Sequence, residues 1–115
     1  MSRQREVRLW VAQRLTAAVL ALCVVVHLAT IVYAIRGGLS AAEILARTRG
    51  SYAWGTFYTV FVLAAAVHGA IGLRAVASEW LGLRGDVAEV ATTAIAVLLT
   101  IMGLRAVVAV VGGAP

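Results

Sequence analysis

The sequence predicts an all-α integral membrane bundle of three transmembrane helices, with a short amphipathic helix between the first two. Three observations lead there. Of 115 residues, 63% are hydrophobic and only 13% are charged, more apolar surface than a small soluble domain has interior to hide. The apolar residues fall in three runs, each long enough to cross a bilayer. The ten basic residues are all arginine, and they stand at the ends of those runs, where membrane interfaces explain them. The chain reads as one transmembrane domain over 1–115, with spans near 10–36, 52–78 and 87–112. A formal charge of +5 does not point to nucleic acid, because the arginines form no cluster on a polar helix or loop. The bland alternative, an aggregation-prone soluble bundle, is disfavoured by the same composition.

The first span is LTAAVLALCVVVHLATIVYAI, between Arg14 and Arg36. At 1.5 Å per residue it covers about 31 Å, the thickness of the hydrocarbon core. The polar start MSRQREVRLW runs directly into it, with no short apolar stretch and small-residue cleavage site, so no removable signal peptide is expected. The lone cysteine, Cys23, sits among leucine and valine and reads as a small core hydrophobe. Next comes SAAEILARTR, which has the pattern of a surface helix. Ser40 caps it, Glu43 stands at the capping-box spacing, and Glu43 can pair with Arg47 at i+4.

The second span lies between Arg49 and Arg74, GSYAWGTFYTVFVLAAAVHGAIGL. Its aromatics Tyr52, Trp54, Phe57 and Tyr58 gather at one end, as an interfacial belt does. The third starts near Val87 and is interrupted late by Arg105. Three spans place the N-terminus and the second connection on one side, with Arg3, Arg5, Arg8, Arg14, Arg74 and Arg84. The other side holds Arg36, Arg47, Arg49 and Arg105. The arginine bias puts the N-terminus in the cytoplasm.

His27 and His68 are the only histidines. An imidazole in a lipid-embedded helix is costly and faces protein or a cofactor. One reading is a hydrogen bond to a neighbouring helix. The other is haem ligation through a neutral ring nitrogen. Beside His68 stand Ala65, Gly69 and Gly72, small residues that let a flat macrocycle approach the backbone or, equally, let helices pack. Arg74, two turns on, suits a haem propionate, and Arg14 does too; both can instead snorkel to headgroups. Arg105 is a third propionate candidate, at the opposite end of the bundle.

The stretch HGAIGLRAVASEW resembles the second-helix signature of the cytochrome b membrane anchor of succinate dehydrogenase and fumarate reductase, the succinate:quinone oxidoreductase (complex II) family. That signature is a histidine, a glycine four on, an arginine six on and an acid near the helix end; His68, Gly72, Arg74 and Glu79 match it. The start of the first helix, QRLTAAVLAL, resembles the family's histidine–arginine pair followed by an apolar residue, serine and glycine. Arg14 and Thr16 match, whereas Gln13 replaces the histidine, Ala17 the glycine, and Trp10 stands where some members carry a quinone-binding serine.

The resemblance implies a haem b-binding anchor in the bacterial inner (cytoplasmic) membrane. Flavoprotein and iron–sulfur subunits would dock on its cytoplasmic face. Its role would be in electron transfer between the iron–sulfur subunit and quinone, with no activity alone. It further implies His68 as a haem iron ligand, Gly72 packing on the haem, Arg74 on a propionate, and Arg14 on the quinone or a propionate.

Depth separates the two histidines. His27 falls about 3 Å past the middle of its span and His68 about 10 Å from the middle of its own, on the opposite side. Rings roughly 13 Å apart in depth cannot grip one upright haem. Each histidine, if a ligand, therefore takes its opposite ligand from another chain, either a second membrane anchor or a second copy. Two shared haems, at His68 and His27, is the favoured reading; one haem at His68, with His27 a structural hydrogen-bonder, is the alternative. Outside this family the rivals are a small cytochrome b serving another dehydrogenase, and a haem-free structural or transport subunit.

Overall fold

The computed structural model describes residues 2–113. Among them the chain forms α1 (Arg3–Arg36), α2 (Ala41–Thr48), α3 (Tyr52–Leu81) and α4 (Gly85–Val111), and no strand. Three of these helices, α1, α3 and α4, are long and apolar enough to span a membrane. The bundle measures 49 × 24 × 24 Å, its long axis set by the 34 residues of α1, which rise roughly 51 Å.

α1 begins well ahead of its apolar run. The Ser2 hydroxyl accepts from the Arg5 N–H at 3.2 Å, and Glu6 lies in the first turn, where a negative charge suits the helix dipole. The polar start is thus a continuation of the span. α2 carries the expected capping box: the Glu43 N–H donates to the Ser40 hydroxyl at 3.2 Å, and the Ser40 N–H donates to the Glu43 carboxylate at 3.4 Å. Glu43 is taken up there, so Arg47 turns elsewhere. Its guanidinium donates to the Tyr33 hydroxyl at 3.2 Å and sits over that ring.

The C-terminal end of α4 exposes carbonyls with no partner in their own helix. α2 and the turn after it satisfy two of them. The buried Thr48 hydroxyl donates to the Val110 carbonyl at 2.7 Å, and the Gly50 N–H donates to the Val111 carbonyl at 2.9 Å. At the other end a three-residue connection joins α3 to α4. Gly82 closes α3 at φ 67°, a left-handed conformation that side chains disfavour. So short a connection makes α3 and α4 antiparallel neighbours.

α3 packs against both α1 and α4. The buried apolar residues are small: Cys23, Ala64, Ala66, Ala70, Ala88 and Val107. Such residues let helix backbones approach where lipid removes the hydrophobic drive to associate. The closest approach is at Gly103, where an added Cβ would overlap the Val62 side chain. Val62 is β-branched and has little rotamer freedom in a helix. Gly103→Ala should therefore destabilise the α3–α4 pair by about 1–3 kcal/mol, read as a lower melting temperature of the detergent-solubilised protein. Gly69→Ala is the control, because its methyl would meet only Leu99 at an ordinary 3.5 Å. Large apolar side chains remain exposed on all three long helices, among them Leu22, Ile35, Leu81 and Val108. Lipid or a partner chain must cover them.

Candidate functional site

Both histidines lie half-buried where α1 meets α3, and each meets a hydroxyl from the other helix. Nδ1 of His68, on α3, is 3.2 Å from the Thr16 hydroxyl on α1. Nδ1 of His27, on α1, is 3.4 Å from the Tyr58 hydroxyl on α3. The two contacts are eleven residues apart on α1 and ten on α3, so the rings sit roughly 15 Å apart along the bundle. Neither Nε2 makes a hydrogen bond among the described residues, nor is either among the buried polar atoms that lack a partner. Each histidine thus offers its outer nitrogen at the surface of the chain. No three His, Cys, Asp or Glu side chains converge among the described residues.

The surroundings of the two rings differ. His27 makes edge contacts with Tyr58 and Phe61, with ring centroids 5.8 and 5.6 Å away. It lines an apolar groove of about 360 Å³ shared with Val62 and Ala65 of α3 and Gly103 and Ala106 of α4. Trp54, Phe57 and Tyr58 form a half-buried cluster beside it, Trp54 stacked on Tyr58 and Phe57 edge-on to both, while Tyr52 is 94% exposed. Around His68 the neighbours are small. A Cβ at Gly72 would meet only the Gln13 amide, at 3.5 Å, so Gly72 faces α1 on the side where Thr16 holds the ring.

Toward the end of the bundle that carries the N-terminus, a cleft of about 620 Å³ opens between α1, α3 and α4. Arg74 lies on its wall and donates to the Glu89 carboxylate of α4 at 2.5 Å; Arg5 of α1 binds the other oxygen of the same carboxylate. One acid thereby ties all three long helices together. Glu89 is not among the residues expected from the sequence. The signal was there, since an acid inside an apolar span is rare without a partner. Gln13 also lines the cleft, and its buried amide oxygen has no hydrogen-bond partner.

The remaining expected residues are placed as follows. Arg14 is exposed and lies over the Trp10 ring, 5.4 Å from its centroid, outside the residues lining the cleft. Arg105 is exposed on α4. The α4 residues that line the His27 groove are Gly103, Ala106, Val107 and Val110, and Arg105 is not one of them. Glu79 is exposed near the end of α3.

A family model described as the succinate dehydrogenase/fumarate reductase transmembrane subunit matches residues 1–110. Comparisons with curated proteins and with solved structures give no match.

Proposed function

This chain belongs to the succinate dehydrogenase/fumarate reductase transmembrane subunit family, and from that premise we propose that it holds haem b through His68 and helps form the quinone site. As a family member it is a multi-pass membrane subunit of that complex. The observation supporting the haem reading is the state of the His68 ring. Nδ1 is engaged by Thr16, while Nε2 has no hydrogen bond. That division of the two nitrogens is what a histidine ligand to iron needs.

Bound haem supplies one-electron redox chemistry. The chain's own part is to present Nε2, orient the ring and exclude water. Gly72 has no side chain to block a flat ring beside the helix, and the Gln13 amide that faces it at 3.5 Å would turn aside to admit one. Arg74 lies two turns from His68 at the same end of the bundle, where it can meet a carboxylate or the quinone head group, and Arg14, outside the cleft, can meet a carboxylate or a quinone on the exposed side of α1. The cleft lined by Trp10, Gln13 and Arg74 is the place for that head group, and the unpartnered Gln13 oxygen would accept a hydrogen bond there.

The ligand opposite His68 comes from a second membrane chain. The flavoprotein and iron–sulfur subunits dock at the end bearing Arg3, Arg5, Arg8 and Arg84, which faces the cytoplasm of a bacterial cell by the arginine bias. A second haem at His27 is favoured by the apolar groove in which that ring stands and by its distance from His68. Arg105, on the exposed side of α4, is then a propionate partner only for a group lying outside the groove.

The test is purification of the tagged chain from its own membranes in mild detergent. Flavoprotein and iron–sulfur subunits should co-purify, with a b-type Soret band. Haem with a different dehydrogenase would make the chain another enzyme's cytochrome. Absence of any Soret band would leave a structural or transport subunit.

A further inference from the structure

We infer that Thr16 is a positioning residue for His68, fixing its tautomer so that the lone pair stands on Nε2. The inference rests on the haem reading above and names the residue that makes His68 a competent ligand. The protons available at the contact decide the tautomer. A threonine hydroxyl has one proton and two lone pairs. Thr16 Oγ1 lies 2.8 Å from the Ala12 carbonyl, 3.1 Å from the Gln13 carbonyl and 3.2 Å from His68 Nδ1. Its shortest contact is to the carbonyl four residues back, the usual acceptor for a threonine within a helix. The single proton is spent there. What the oxygen can still do toward His68 is accept, so the proton of the neutral imidazole sits on Nδ1 and donates to Thr16. Nε2 is left as the acceptor, the form that ligates a metal.

The other histidine shows what this arrangement adds. The Tyr58 hydroxyl has no other acceptor among the described residues. Its proton is available to His27 Nδ1, and the contact fixes no lone pair on Nε2. The two rings have similar neighbours in kind, a hydroxyl on Nδ1, but only Thr16 has its proton committed elsewhere. Donation from Nδ1–H also makes the imidazole a stronger electron donor to a bound metal, which would favour ferric over ferrous iron. Thr16 therefore holds the reduction potential of the haem at His68 low.

The test compares the intact membrane complex with its Thr16→Val and Thr16→Ser variants, using optical redox titration of the b-type absorbance and low-temperature EPR of the oxidised haem. Thr16→Val should raise the midpoint potential, move the low-spin g values, and weaken haem retention on washing by roughly 10–100-fold, the usual effect of losing such a partner. Thr16→Ser should restore all three. If the valine variant does not assemble, Thr16→Ala removes the hydroxyl without adding bulk, and the same shifts are expected. A valine or alanine variant with unchanged potential and g values, in a complex that carries haem, overturns the role of Thr16 and leaves the haem reading standing. A wild-type complex without haem overturns both.

Discussion

Replacing His68 with leucine should remove at least half of the b-type haem absorbance from the purified complex while leaving the anchor in the membrane. Leucine fills much of the imidazole's volume and is at home in lipid. The Thr16 hydroxyl, deprived of its ring partner, still donates to Ala12, so no buried polar group is stranded. What disappears is the nitrogen that meets iron. If His27 holds a second haem, half of the absorbance remains and goes only in the double variant with His27→Leu. If His27 does not, His68→Leu removes all of it. A His68→Leu complex with undiminished absorbance would show that the ring serves only as a helix-to-helix hydrogen bond.

The second large effect is on stability, at Glu89. Its carboxylate receives Arg74, whose side chain is 14% exposed, and Arg5, 53% exposed; Glu89 itself is 32% exposed. Glu89→Leu should cost about 2–3 kcal/mol, almost all of it from the hydrogen bond to the part-buried Arg74 guanidinium. The exposed Arg5 pair contributes less than about 1 kcal/mol. The double variant Arg74→Leu/Glu89→Leu should cost less than the sum of the two singles, because both singles remove the same Arg74–Glu89 hydrogen bond. Melting of the detergent-solubilised protein measures this. A Glu89→Leu variant within about 0.5 kcal/mol of wild type would mean that the triad contributes nothing.

Much of this architecture could be read from the residues. Long apolar runs bounded by arginine give the three spans, because only a helix satisfies its own backbone in lipid. Ser40 and Glu43 give α2 and its cap, because the capping box is a local device. The histidines stand out because an ionisable ring in lipid is expensive. What could not be read is whatever depends on helix register. The meeting of Thr16 with His68, or of Tyr58 with His27, depends on how α1 slides against α3, and side-chain spacing along one helix does not specify that. Arg14 and Arg105 were singled out for their charge, yet their rotation about α1 and α4 turns both to the exposed surface. The resemblance points to Glu79, which is exposed, whereas the acid that pairs with Arg74 is Glu89 of α4, a meeting that only the packing of α3 on α4 specifies. Of the aromatics at the start of α3, Tyr58 reaches His27, a contact that likewise depends on register, while Tyr52 stays exposed.

The most direct test of the central claim, that His68 offers Nε2 to a haem iron gripped from the far side by another chain, is the haem-to-chain ratio of the wild-type complex together with its EPR spectrum. The account predicts low-spin haem with two imidazole ligands, at one per chain where a different anchor subunit supplies the far ligand and no less than one per two chains where a second copy does. A complex without haem, or with only five-coordinate high-spin haem, would contradict it.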